Sequence, residues 1–491
     1  MAVDLPFDKT AKGPIPRKRT PKQIVDEVAS KGIRFIDLQF TDVPGRSQHV
    51  TIPYNMLEVD TFKEGVPKLD GSSIKGFAEI FDSDMLLVPD PSTFGIIPWG
   101  DARFPTARMI CDVHWGYQKG RFSRDPRYVA QKAEEAVRSA GFTESYWGPE
   151  MEFFVFDSVT WDISSPFGSS HKITSVESAH EARGTNYPIR FKEGYYPTPP
   201  SDTLQDYRSE VAYHLDESFG IINDAHHHEV ATAGQCEINI FRDTLTPMAD
   251  SMLTYKYVVK NVASNRGLVA TIMPKPIFGD NASGMHVSSS LWKGDKNAFY
   301  DESDEYANLS QTGRYYVGGL LAHSRALCAI TNPTTNSYRR LVPGYEAPVF
   351  VAWSRGNRSA NVRIPLHYKG KSGMKGKRAE FRTPDPSANT YLAFAAMVSA
   401  GLDGIKKKLD PGDPVNQDIY ELSPQKRKEL GVKELPRSLL ESIDSLKSDS
   451  GFLKGVFTDD LIDMIIDLEM ANYRAVSARP TPYEFYLYFD I

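Results

Sequence analysis

Residues 225–237 read AHHHEVATAGQCE, an odd composition for a plain core strand. Glu229 and Glu237 flank a small-residue turn at Ala233-Gly234. If the flanks are extended, that turn folds one carboxylate back beside the other. Two anions so placed repel unless a cation or a proton sits between them. Alone, the pair is better read as solvated acids on a half-exposed hairpin, so the rest of the chain has to decide. Residues 148–156, GPEMEFFVF, form a strand candidate whose period of two puts Glu150 and Glu152 on the face of Phe154 and Phe156. Carboxylates heading an apolar face are costly to bury bare. Metal coordination would remove that cost, and exposure at a sheet edge would avoid it. In residues 278–290 a turn runs into a strand with His286, Ser288 and Ser290 on one face and Met285 and Val287 on the other. A lone histidine is more often structural, but one followed by two hydroxyls could be a ligand beside phosphate-binding groups.

Arginines supply the complementary charge. Arg339 and Arg340 precede a Pro343-Gly344 turn that leads to Glu346, and Arg358 and Arg363 follow. Arg378, Glu380 and Arg382 then alternate with Ala379 and Phe381, so cation, anion and cation share a face. Guanidinium groups bind carboxylates and phosphates in bidentate fashion, which makes an anionic substrate a better explanation than one solvated strand. The basic, glycine-rich stretch 369–378 could cradle phosphates, although a solvated loop tip explains most of its lysines, and neither a Walker A loop nor a GxGxxG fingerprint is present. Two carboxylate pairs, one imidazole and a further glutamate suit Mg²⁺ or Mn²⁺ better than zinc. Two divalent ions among arginines point to phosphoryl transfer. A zinc hydrolase built on His226, His227 and His228 is a weak alternative. Adjacent strand residues alternate sides, and HExxH spacing is absent.

These residues need a sizeable frame, and the chain of 491 residues has room for two or more domains. A net charge of −6 gives no electrostatic case for nucleic acid. Cys111, Cys236 and Cys328 form no CxxC pair, which suits a reducing, cytoplasmic setting. No apolar run approaches a membrane span, and the N-terminus lacks a secretory pattern. Residues 1–20 read as a flexible arm. A short helix over 21–30 and a half-buried strand at Ile36, Leu38 and Phe40 open a small β-rich unit, with 49–52 as the partner strand. Asp125-Pro126 starts a helix, and from there strands alternate with helices over 206–219, 247–270, 390–409 and 461–475. The domain boundary falls near 117–124, and residues 157–192 read as polar and irregular.

In their order and spacing, segments 69–73, 148–156, 194–200, 226–237, 281–290, 332–348, 357–365 and 378–386 resemble the signature blocks of type I glutamine synthetases, from about residue 20 onward. The resemblance implies an α+β fold: a β-grasp-like N-terminal domain over 21–118 and a catalytic domain over 124–491, with a curved antiparallel sheet and surrounding helices. It implies a dodecamer of two stacked hexamers, active sites between neighbouring subunits, and room for nitrogen-regulatory protein partners. Glu152, Glu229 and Glu237 would hold one Mg²⁺ or Mn²⁺, and Glu150, His286 and Glu380 a second. Asn281, the Ala282 backbone, Arg340, Glu346, Arg358 and Arg382 would hold L-glutamate. ATP would contact Asp224, Ser288, Ser290, Arg358, Arg363, Lys375 and Arg378. Asp70 of the adjacent subunit, with Ser73 and Tyr195, would take ammonium, leaving Asp70, Glu346 and Arg358 as the catalytic set.

The implied chemistry is formation of a γ-glutamyl phosphate from ATP and glutamate, attack by ammonia and release of ADP and phosphate. Asp70 would deprotonate ammonium, and Glu346 on its Pro-Gly loop would keep water from the intermediate. Asp224 and Ser288 depart from the residues common in the family at the nucleotide. Tyr420 aligns with a tyrosine that one subgroup adenylylates, but its flanks differ and modification is not expected; Glu79 stands where the feedback-regulated subgroup has arginine. The rival readings are a γ-glutamyl–amine ligase using a larger amine and a catalytically silent homologue.

Overall fold

The alternation of Ile36, Leu38 and Phe40 does produce a strand, β1 (Phe35–Thr41), but it is covered on both faces. Asp37 and Gln39 are buried too, because Asp37 accepts hydrogen bonds from Thr51 at 2.8 Å and Gln39 at 2.9 Å and faces the His49 ring at 2.6 Å. The computed structural model describes residues 19–116, 120–180, 186–365 and 370–491. The arm expected over 1–20 therefore lies outside the described residues except for Arg19 and Thr20, as does part of the boundary expected near 117–124. Thr20 caps α1 (Pro21–Ser30) through a reciprocal box with Gln23, and Ile24 and Val28 anchor the helix in the core. β2 (Ser47–Pro53) pairs with β1, and a short helix α2 (Thr61–Glu64) leads to β3 (Val66–Asp70), β4 (Asp84–Pro89), β5 (Gly95–Ile96) and β6 (Thr106–Trp115). The sheet order is β2-β1-β6-β4-β3, with β5 on β6 and a parallel β1–β6 pair at its centre.

The larger part begins at α3 (Pro126–Ser139), capped as expected by Asp125, which accepts from the Arg127 amide at 3.0 Å. Strand β7 (Glu144–Phe156) is the spine of the large sheet. The stretch expected to be irregular after residue 157 instead opens with a hairpin, β8 (Ser158–Ser165) and β9 (Gly168–Thr174). The hairpin leaves Trp161, Ile163 and Phe167 in solvent, so it carries no buried alternation for a sequence pattern to show. Then follow α4 (Gln205–Phe219), β10 (Asn223–His228), β11 (Gln235–Ile240), β12 (Asp243–Thr244), α5 (Leu245–Asn265), β13 (Val269–Thr271), β14 (Met285–Lys293) and β15 (Lys296–Asn297). The helix expected over 247–270 thus stops early. Gly267, at φ +71°, turns the chain so that β13 can pair with β7.

The remainder is α6 (Gln311–Thr331), α7 (Ser337–Arg340), β16 (Phe350–Ser354), β17 (Ala360–Arg363), α8 (Gly370–Gly376), β18 (Ala379–Phe381), α9 (Thr390–Lys407), α10 (Pro424–Glu429), β19 (Lys433–Glu434), α11 (Leu439–Ser448), α12 (Asp459–Ser477) and α13 (Pro482–Tyr488). The glycine-rich stretch is a short helix, α8, rather than a loop tip; Lys369 lies outside the described residues. The large sheet runs β10-β11-β7-β14-β18-β17-β16-β19, with β12 and β13 on β7 and β15 on β14. It is mixed rather than purely antiparallel, because β16 and β17 are parallel. Helix α9, buried along most of its length, packs against α6, α3 and α5 behind that sheet. Arg127 joins the two parts: its guanidinium reaches Asp250 at 2.9 Å, and Asp112 and Asp90 of the N-terminal sheet at 2.5 Å each. No helix among the described residues is long and apolar enough to cross a membrane.

Candidate active site

Strand pairing assembles the acids. On β11, Glu237 stands opposite Glu152 of β7 on one side and His227 of β10 on the other. Two residues along β7, Glu150 stands opposite His286 of β14. Ser288 of β14 is opposite Glu380 of β18, and Glu380 is opposite Arg363 of β17. Residues directly opposite share a face, as do residues two apart, so all of these side chains rise from one side of the sheet.

They form two groups. Ligand atoms of Glu150, His286 and Glu380 all lie within 4.8 Å of one another, and so do those of His227, Glu229 and Glu237. The first group is the set expected from the sequence. Burial, followed by the neighbouring Arg382, pushes His286 well below its ordinary value, leaving a neutral imidazole that can donate a lone pair. Burial would raise Glu380, but the Arg382 and Arg363 guanidinium groups outweigh it and lower the carboxyl. Arg382 Nη1 and Arg363 Nε each donate to Glu380 at 2.7 Å. Both arginines therefore brace a metal-ligand candidate as well as facing the cavity.

The second group differs from expectation in one member. His227 is not among the expected ligands, yet its Nδ1 lies 3.5 Å from Glu229 and its Nε2 3.7 Å from Glu237. Alternation explains it. His226 and His228 point behind the sheet, His226 toward Arg208 and Ser209 and His228 toward Glu177 and the Gly194 carbonyl, while His227 shares the face of Glu237. Burial disfavours charge on His227, but Glu237 and Glu229 overcome that and raise it. Glu152 belongs to the same pocket of negative charge. Burial, then Glu229 and Glu237, push its carboxyl far above the usual range, and Glu229 rises to about 7 through burial and Glu237. One Glu152 oxygen accepts from Gln235 Nε2 and the Gly284 amide, both at 3.0 Å. Three carboxylates gathered in one buried pocket, two of them raised by burial and by their neighbours, with the His227 ring beside Glu229 and Glu237, are a donor set suited to a hard divalent cation.

Two cavities meet here. One of about 440 Å³ is lined by Glu150, Glu152, Glu229 and Glu237 together with Tyr195, Asn281, Ala282, Arg340, Glu346, Arg358, Arg363 and Arg382. The other, about 630 Å³, is lined by Asp224, Ser288, Ser290, Lys375 and Arg378, and both include Glu150 and Asn239. The expected glutamate and nucleotide residues thus separate cleanly, except that Arg358 and Arg363 sit with the first cavity. Arg340 is buried and donates to the Thr383 and Arg382 carbonyls at 2.7 and 3.1 Å. A side chain at Gly284 would come within 2.6 Å of its Nη2, so only glycine allows that approach. Arg382 Nε is buried without a hydrogen-bond partner. Arg242, also missed in the sequence, lines the nucleotide-side cavity with its guanidinium over Tyr146 and Trp292 at 5.0 and 5.1 Å. Asp70 and Ser73 line neither cavity. Asp70 is exposed and accepts from Ser72 and Ser73, bonds that, led by the Ser72 hydroxyl, hold its carboxyl low.

Glu346 sits at a positive φ of +59° in a loop fastened on three sides. Lys192 Nζ donates to the Gly344 carbonyl at 3.0 Å, and Tyr420 donates its hydroxyl to the Ala347 carbonyl. The Tyr345 ring lies under two ammonium groups, Lys275 at 3.9 Å and Lys192 at 4.4 Å from its centroid.

Two family models match the chain: "Glutamine synthetase, beta-Grasp domain" over residues 32–116 and "Glutamine synthetase, catalytic domain" over 123–488. The glutamine synthetase of Sulfolobus acidocaldarius is 52% identical over 95% of this chain and 98% of its own. That of Frankia alni is 48% identical over 96% and 99%. Among solved structures, glutamine synthetase of Plasmodium falciparum superposes with a TM-score of 0.86 at 27% identity, covering 96% of this chain and 99% of that one. With the two models matched over residues 32–116 and 123–488 and the acids of two donor groups in sheet register, the chain belongs to the glutamine synthetase family.

Proposed function

We propose that the two cavities form one active site for ATP-dependent synthesis of L-glutamine from L-glutamate and ammonia. The observation that carries this reading is the pair of donor groups on one sheet face, set where an arginine-lined cavity meets a second cavity rich in hydroxyls and cations. Glu152, Glu229 and Glu237, joined by His227, would hold one Mg²⁺ or Mn²⁺, and Glu150, His286 and Glu380 another. When bound, the ions neutralise phosphate charge and polarise the phosphoryl group. Arg340 and Arg382 face the substrate carboxylate, Asn281 and the Ala282 backbone orient it, and Arg358 meets the charge that develops at the γ-carboxyl. Ser288, Ser290, Asp224, Lys375, Arg378 and Arg363 hold the nucleotide. A carboxylate oxygen leaves poorly, so phosphorylation of the γ-carboxyl has to precede attack by nitrogen.

Ammonium cannot attack while protonated. Asp70, kept anionic by its serine neighbours, would take that proton. Since Asp70 and Ser73 lie away from this chain's own cavity, the reading needs a second copy to bring them to Tyr195. The exposed aromatic face of α13 (Tyr483, Phe485, Tyr486 and Tyr488) supports assembly, and we read the particle as a dodecamer of two hexamers, with domains over 21–118 and 124–491 and a cytoplasmic location. The test is product stoichiometry. Purified enzyme with Mg²⁺, ATP, glutamate and ammonium should release one ADP and one phosphate per glutamine. Preference for a polyamine or ethanolamine over ammonium would overturn the choice of nucleophile.

A further inference from the structure

A third cavity, of about 610 Å³, lies between the N-terminal sheet and the helices behind the catalytic sheet, and none of its lining residues belongs to either substrate cavity. Arg46, Lys75 and Lys260 stand exposed at its edge, while Lys256 and Glu469 line it from within at 7% and 5% exposure. The Lys256 ammonium makes one hydrogen bond, to the Ala388 carbonyl at 2.9 Å. Lys260 opposes its charge and Asp385 favours it, and Lys260 in turn feels Arg46. Burial, then Lys260, brings Lys256 down to about 7. Glu469 Oε2 is buried without a hydrogen-bond partner, and burial raises that carboxyl well above its ordinary value, toward the neutral form that can donate. Cations grouped about one opening and a buried carboxyl group with an unpartnered oxygen make a receptacle suited to an anion. The volume is that of a small-molecule site.

The cavity also touches the glutamate side. Ser387 and Asn389 are part of its wall, and Lys256 holds Ala388. The same loop presents the Thr383 and Arg382 carbonyls that fix the Arg340 guanidinium. Asn389 donates to the Asp42 and Val43 carbonyls at 3.1 Å each, tying the loop to the N-terminal turn that carries Arg46.

We propose that this cavity binds a small oxyanion, a phosphate- or carboxylate-bearing metabolite, and that its occupant is felt at Arg340 through the loop 382–389. The second half rests on the glutamate role of Arg340; the first does not. Calorimetric titration of inorganic phosphate, and separately of malonate, into the full-length enzyme with Mg²⁺ distinguishes the two ligand types. Phosphate also enters the active site, so the parent should show two classes of site. The exposed pair Arg46→Met and Lys260→Met should remove one class, weakening it at least tenfold, with circular dichroism and particle size unchanged. Glu469→Gln, which keeps the shape and still offers donors, should retain it, and Glu469→Leu should weaken it. At a saturating probe, the KM for glutamate should move at least twofold further in the parent than in the double variant, where only competition at the active site remains. A single class of site in the parent with both probes, or titrations unaltered in the double variant, would overturn the site. Binding with no change in KM would overturn the coupling alone.

Discussion

Tyr345 offers a test of how the Glu346 loop is kept shut. Two ammonium groups lie 3.9 and 4.4 Å from its ring centroid, one from Lys275 and one from Lys192. A cation over an aromatic face contributes about 0.5–1 kcal/mol at a partly exposed site. Tyr345→Leu keeps apolar bulk but removes the ring, so it should cost the closed loop about 1–2 kcal/mol, or roughly 5–30-fold in the ratio of closed to open. An open loop exposes the acyl phosphate to water. The readout is coupling: phosphate released per glutamine formed, measured at limiting ammonium. The parent should stay near one, and Tyr345→Leu should rise well above it, while the KM for ATP is unchanged. Tyr345→Phe retains the ring and should couple as the parent does. Parental coupling in Tyr345→Leu, or a Tyr345→Phe variant as leaky as Tyr345→Leu, would refute the idea that the two lysines hold the loop through the ring.

Glu229→Ala or Glu237→Ala should lower turnover by at least the roughly 100-fold that outer-shell losses around metals already reach, with particle size retained; near-normal turnover in a coupled assay would remove either residue from the ligand set. Asp70→Ala should depress amide formation far more than glutamate affinity, so an equal loss in both, by steady-state kinetics and direct titration, would contradict its role with ammonium. Arg127→Met strands Asp250, Asp112 and Asp90 without their shared cation. It should cost about 3–5 kcal/mol, read as a lower denaturation midpoint. His323 bridges Asp403 and Asp449 at 2.9 and 2.8 Å. Burial disfavours its charge, but the two aspartates raise it, so its stabilisation is complete below the unfolded histidine pKa of about 6.5 and fades as pH rises through the higher folded value. His323→Gln should therefore lower Tm more at pH 6 than at pH 9, and an equal loss at both would contradict this.

The legible parts of the site were those whose geometry follows from strand period. Glu150, Glu152 and His286 could be put on defined faces before any fold was known, and Glu237 could be folded back on Glu229 by one turn. Pairing across strands cannot be read, so Arg363 and Arg382 are expected at substrates and Glu380 at a metal, without the hydrogen bonds that join them. His227 was passed over because its neighbours dominate the run, although the same alternation that sets them aside selects it. Lys192 and Lys275 carry no local signal at all, since their role exists only where Tyr345 arrives from some seventy and one hundred and fifty residues further along the chain. In the frame, Asp125 and its helix were plain from capping chemistry. The β8–β9 hairpin was hidden because it buries too little to leave a pattern.

The sheet register has a consequence for how the protein is made. Glu150 and Glu380 are brought together only after β14 has paired with both β7 and β18, strands separated by more than two hundred residues. Contacts so distant form late, because loop closure has to precede any return from them. A cation that needs both carboxylates therefore finds no site in the partly folded chain and cannot hasten folding. It can only slow the reverse step, once the last strand is seated. Chelation should leave the refolding rate alone and speed unfolding, which makes the metal a lock applied to a finished subunit rather than a template for building one.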